Sequence, residues 1–95
     1  MEEKASAIAK RKVLESIQHD AEMELYFGIK IMHTPIEQSA EDRKREFMYT
    51  GRRLDNEALA KRMGIPKEEI EEARNKGFDR ANEAATEADQ NGGWE

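Results

Sequence analysis

Between Glu2 and Phe27 the chain carries neither proline nor glycine, and its residues are predominantly strong helix formers. Within that run Ala5, Ile8, Ala9, Val13, Ile17, Ala21 and Leu25 recur at three- and four-residue steps. That period places them on one stripe of an α-helix and leaves no alternation from which to build a strand. A helix of this length exceeds roughly 30 Å at about 1.5 Å per residue, more than the rest of a small domain covers. Pairing through this helix with a second copy, as a homo-oligomer, or with a partner's helix is therefore expected.

The densest apolar run follows, with Leu25, Tyr26, Phe27, Ile29, Ile31 and Met32 around Gly28. Leu25, Phe27, Ile29 and Ile31 alternate as in a strand, whereas Leu25, Ile29 and Met32 share a helical face, so periodicity leaves both readings open. Only Phe47 to Tyr49 offers a partner strand, and an isolated hairpin is marginal, which favours a helical continuation bent near Gly28, making residues 1–33 one unit. Thr34-Pro35-Ile36-Glu37 then has the form of a capping box with proline at the first helical position, predicting a central helix over 34–51 closed by Gly51. Asp55 as cap, Leu54 and Leu59 as a hydrophobic staple, and Gly64 as a stop delimit a third helix. Pro66 opens a fourth that runs to Lys76, before Gly77, and Phe78 is expected to be a core anchor just beyond. Over 79–90 the apolar residues are Ala81, Ala84, Ala85 and Ala88, which predicts a weak helix that is frayed or ordered by a partner. Residues 91–95, with Trp94 behind two glycines, read as a flexible tail or a linear docking residue. The expectation is one all-α domain over 1–90.

With 37% hydrophobic and 39% charged residues in 95, the core must be small and help from a partner is expected. There is no cysteine, so no disulfide or thiolate forms, and zinc would have to rely on His19, His33 and carboxylates. No apolar stretch approaches the roughly 18 to 20 residues that span a bilayer, and Met-Glu-Glu-Lys is not the start of a signal peptide; a cytoplasmic protein is expected. Charge is unevenly placed. Residues 66–95 hold nine acids against four bases, whereas residues 1–65 balance at twelve each. Basic clusters occur in the balanced part, at Lys10-Arg11-Lys12, Arg43-Lys44-Arg45, Arg52-Arg53 and Lys61-Arg62.

Residues 59–73 resemble the helix-turn-helix family. Ala60 stands where two helices approach closely, Gly64 at the turn, and Leu59, Met63, Ile65, Ile70 and Ala73 at the apolar framework positions. The match covers about twenty residues, within 55–77. Its frame also occurs in other small helical domains, including ubiquitin-associated-like three-helix folds, although their leucine-rich last helix is replaced here by alanines. What the resemblance implies is a second helix whose early residues face DNA. Here those residues are Pro66 to Glu72, with Glu68, Glu69, Glu71 and Glu72 and the single cation Lys67. Such a face repels phosphates, and Arg74, Asn75 and Lys76 come one turn later.

Catalytic patterns are weak. Glu-x-x-His, as in helical carboxylate metal sites, fails for both histidines, because Ser16 and Lys30 occupy the required positions. Ser6, Ser16 and Ser39 have no adjacent histidine or glycine-rich elbow, and no glycine-rich phosphate loop occurs. The reading is a non-enzymatic regulator or inhibitor without cofactor or metal, of the compact kind that phages and mobile elements often encode, acting by protein contact, with a nucleic-acid-handling protein as its target. Its expected contacts are Glu68, Glu69, Glu71 and Glu72, with Tyr26, Phe27 and Met32 as apolar anchors. One alternative is a helix-turn-helix transcriptional regulator docking on DNA through Arg43, Lys44, Arg45, Arg52, Arg53, Lys61 and Arg62. Another is a structural or assembly oligomer.

Overall fold

A computed structural model describes the backbone of residues 2–90 and the side chains of residues 7–88 and 90. The chain is all-α, with three packed helices and no strand among the described residues. They are α1 (Glu2–Met32), α2 (Ala40–Arg62) and α3 (Lys67–Gln90), with a 3-10 turn at Ile36–Gln38 between the first two. The expected flexible tail at 91–95, including Trp94, lies outside the described residues.

Residues 25–32 are helical, the continuation the sequence favours, and α1 passes through Gly28 without interruption. Two of the expected stops are not stops. The central and third helices of the sequence reading are one helix, because α2 continues through Gly51 to Arg62 and Asp55 is an exposed mid-helix residue, not a cap. Likewise α3 runs through Gly77 and takes in the alanine segment expected to be frayed. The capping box at Thr34 does not form either. Its hydroxyl donates to the Lys30 carbonyl at 2.8 Å and so closes α1 instead of opening a helix. Ser39 becomes the residue before α2, its carbonyl accepting from the Arg43 amide at 2.9 Å.

Gly77 shows why composition misled. A Cβ there would press on the Gln18 carbonyl and come within 2.8 Å of Ala21 Cβ and 2.9 Å of the Glu22 amide nitrogen. The glycine is the point of closest approach of α3 to α1, so the absence of a side chain serves contact, not termination. One turn and two turns later Ala81 and Ala85 are 0% and 7% exposed against the same helix. Alanines bury little area, but they let two backbones run close together, and α1 itself is the surface that orders them.

The one glycine stop that forms as expected is Gly64, at φ +80°. The Ile65 amide donates to the Ala60 carbonyl at 3.0 Å and the Gly64 amide to Lys61 at 3.1 Å, the two bonds of a Schellman ending. Ile65 then folds inward, and Ile17, Ala60, Ile65, Ile70 and Ala73 form the buried cluster with Val13, Leu14 and Met63 packed around it. The turn and the burial of Ala60, Ile65, Ile70 and Ala73 are as expected, but Leu59 is 37% exposed and the two helices pack on α1, with few contacts between them. Phe78, expected as an anchor, is half-buried.

Helix α1 lies between the other two, which meet each other little. The pairs Lys30–Asp42, Glu24–Arg53 and Asp20–Asn56 descend α1 as they ascend α2, so these helices are antiparallel. With Gly77 beside Gln18 and Ala21, and Ala73 near Leu14, α3 runs parallel to α1. Gly77 and Gly51 should respond differently to substitution. Gly77→Ala is expected to cost about 1–3 kcal/mol by overpacking. Gly51→Ala, where nothing lies within 4 Å of a new Cβ, should gain up to about 1 kcal/mol from helix propensity. Urea denaturation midpoints of the two variants, moving in opposite directions from the parent, are the check.

Candidate interaction surface

The interior is charged where α2 faces the other helices. Glu57, 8% exposed, is gripped from both sides. Arg53 Nη1 donates to its Oε2 at 2.7 Å, while Arg74 donates through Nε to Oε2 at 3.0 Å and through Nη2 to Oε1 at 2.8 Å. Arg53 turns its remaining nitrogens to Glu24, at 2.9 and 3.3 Å. Burial pushes the Glu57 carboxyl up, but hydrogen bonds and charge from Arg74 and Arg53 outweigh it and hold the group below its ordinary value of 4.5. Immediately before Glu57, Asn56 donates through Nδ2 to Asp20 Oδ2 at 3.0 Å. Arg52 Nε stands 3.7 Å from Oδ1 of that fully buried aspartate, too far for a hydrogen bond.

These contacts draw the acids of α2 inward. Asp42 and Glu57 are buried and Glu46 is half-buried beside Gly28, whereas Arg43, Lys44, Arg45, Arg52, Lys61 and Arg62 are all exposed. Arg45 and Arg52 lean on rings, 5.7 Å from the Phe27 centroid and 5.6 Å from that of Tyr49. No ion pair within 4.0 Å engages Arg43, Lys44, Lys61 or Arg62 among the described residues. Glu41 and Asp55 are the exposed acids of the helix.

Apolar side chains share this outer face. Phe47 is 82% and Leu54 54% exposed, and Met48 and Leu59 are 45% and 37% exposed. At 100° per residue, Phe47 and Leu54 form one ridge and Met48, Asp55 and Leu59 another, with Gly51 and Ala58 in the trough between. Sequence reasoning passed over this strip because Gly51 was read as a helix end. Read as one continuous helix, the steps Phe47, Gly51, Leu54 and Ala58 mark a second apolar stripe, opposite Asp42, Arg53 and Ala60. Among the described residues five of the nine buried apolar ones are alanine, so large apolar groups lie on the surface of a protein with a small core, on this face and also at Ile8, Met32 and Ile36.

The contacts expected from sequence do not converge. Phe27 is only 7% exposed, stacked on Tyr49 with ring centroids 6.1 Å apart and edge-on to Tyr26, so it supports the fold and is no surface anchor. Tyr26 is half-buried, and Met32 is 82% exposed at the end of α1. Glu68, Glu69 and Glu72 are exposed and Glu71 half-buried. Glu72 pairs with Lys76 at 3.1 Å and Glu71 with Lys67 at 3.9 Å. Glu69 and Glu72 border a recess with Leu14 and Gln18, fourteen residues before Met32, hence roughly 21 Å away along α1. Of the seven cations proposed for DNA, six lie outward and Arg53 is consumed internally.

No protein-family model, curated protein or solved structure matches this chain. His19 lies edge-on to Tyr49, 6.0 Å between centroids, and beside an open recess of about 350 Å³ with Lys12, Glu15, Ser16, Asp20 and Arg52. Among the described residues no three His, Asp or Glu side chains gather to share a metal ion, and no helix is long and apolar enough to cross a membrane.

The lowered pKa of Glu57 sets an acid limb. Its contribution is full above the ordinary carboxyl value of 4.5 and is lost as pH falls through the lower folded value. Glu57→Gln should cost about 3–5 kcal/mol at pH 7, since it leaves Arg74 without an acceptor charge and Arg53 with Glu24 alone. It should also flatten the fall in stability below pH 4.5. Urea midpoints at pH 7 and through the acid range measure both effects.

Proposed function

We propose that this chain is a non-enzymatic regulator that acts by binding another protein, and that the outer face of α2 is its principal contact. The observation that carries this reading is the exposure of Phe47 and Leu54, 82% and 54%, on a helix whose inner face already packs on α1. A solvated helix face without a partner has little use for two large apolar ridges, whereas an interface centre is built from them and rimmed by charge. The acidic first turns of α3 are a second charged face. There Glu68 and Glu69 have no ion pair within 4.0 Å among the described residues, and the helix N-terminus favours acids in any case. Inhibition of a nucleic-acid-handling protein and a cytoplasmic site of action belong to the same proposal.

One observation favours a second reading. The exposed row Arg43, Lys44, Arg45, Arg52, Lys61 and Arg62 suits a phosphate backbone, with DNA held along α2 and not by the acidic helix that follows the turn. The apolar ridges in the middle of that row argue for protein first. Affinity capture from the native cell, with and without nuclease, separates the two. A protein retained after nuclease by the parent chain and lost with Phe47→Asp/Leu54→Asp is the expected result. Capture unaffected by that double substitution overturns the contact face, and capture abolished by nuclease, with a steep loss on adding salt, transfers the function to nucleic acid.

A further inference from the structure

The charges around the α2 trough define what can lie in it. Gly51 and Ala58 form the floor, the Phe47–Leu54 ridge forms one wall and Met48, Asp55 and Leu59 the other, and a Cβ added at Gly51 would meet nothing within 4 Å. Arg43 and Lys44 close one end and Lys61 and Arg62 the other, seventeen residues from Lys44 to Lys61, or roughly 26 Å along the axis. Small residues between large ones accept the side chains of a partner helix. A second copy matches the apolar pattern. In an antiparallel pair Phe47 would face Ala58 and Leu54 would face Gly51, large on small at each level. The charges oppose it, since the same register stacks Lys44 on Lys61 and Arg43 near Arg62 at both ends. Like charges so placed repel, with few acids nearby to compensate, Glu41 and Asp55 being the exposed ones.

On the reading of α2 as a protein contact, we infer that its occupant is an acidic amphipathic helix from another protein. Its apolar side chains fill the trough over Gly51 and Ala58, and its carboxylates at either end, roughly 26 Å apart, meet Arg43 and Lys44 and then Lys61 and Arg62. The apolar ridges supply affinity and the end charges supply register and exclude self-pairing.

A charge-reversed copy of the chain, Arg43→Glu/Lys44→Glu/Lys61→Glu/Arg62→Glu, is the probe, because it keeps the trough and carries acids at both ends. The four positions are exposed, and circular dichroism checks that the copy folds. In sedimentation equilibrium at low salt, parent alone and reversed copy alone should remain monomers, while their mixture should form a one-to-one heterodimer. Its affinity should fall at least tenfold between 50 and 500 mM salt, as end-charge pairing requires. Gly51→Leu in the parent fills the trough and should abolish the heterodimer without unfolding the protein. The inference is overturned if the mixture stays monomeric at 100 µM. It is equally overturned if the parent dimerises alone as tightly as in the mixture, or if Gly51→Leu leaves association unchanged. A monomeric mixture together with nuclease-resistant capture dependent on Phe47 and Leu54 rejects the acidic helix and leaves protein contact standing; loss of that capture rejects protein contact itself.

Discussion

The grip of Arg53 and Arg74 on Glu57 joins α2 to α3 at one carboxylate. Helices α2 and α3 hardly touch each other, so this is the main place where they meet directly beyond their connecting turn. Through Arg53 the same network reaches Glu24 on α1. A buried carboxylate is costly unless charge and hydrogen bonds surround it, and here both oxygens are occupied by guanidinium groups in fixed geometry. A hydrophobic triad of the same shape can stabilise as much or more, so what this arrangement contributes is orientation: slippage of any helix along its axis leaves a buried charge unpaired.

That orientation has a consequence for the surface. With Asp42 and Glu57 buried and Glu46 half-buried, the bases of α2 are left on its outer side, although the segment is nearly balanced in sequence. The small core has a parallel consequence. Alanines at 73, 81 and 85, with Gly77 among them, bring α3 close to α1 and need few large side chains, and Phe47, Met48 and Leu54 remain outside. Charge segregation and apolar exposure on one helix therefore follow from how the other two are packed.

Much of the fold was legible in local signals. The second half of the α1 stripe, from Val13 to Leu25, the Gly64 turn and the inward set Ala60, Ile65, Ile70 and Ala73 follow from period and turn chemistry, whereas Ile8 and Ala9 at the head of the stripe are exposed. The positions of the other breaks were not legible. Gly51 and Gly77 resemble Gly64 in sequence, yet one lies open on a helix surface and the other is wedged against α1. A glycine marks a place where a side chain is absent, and a turn, a close contact and a trough all satisfy that description. The Thr34 capping box failed for a related reason: its hydroxyl found the Lys30 carbonyl behind it before any helix began ahead. The candidate site was less legible than the fold. Phe27 looked like an anchor because apolar runs are visible in sequence, whereas the α2 strip was concealed by a presumed break at Gly51.

By itself the sequence determined that the chain is helical, that its core is small, and that the helix after Pro66 opens on acids, because these depend on residue type and period along one segment. Only the tertiary structure decided which glycines end helices, that Arg53 is drawn inward while the other bases of α2 stay exposed, and that α2 turns Phe47 and Leu54 outward. Those outcomes depend on what stands opposite each residue, and Glu24, Glu57 and Arg74 come from three separate helices that no local pattern brings together.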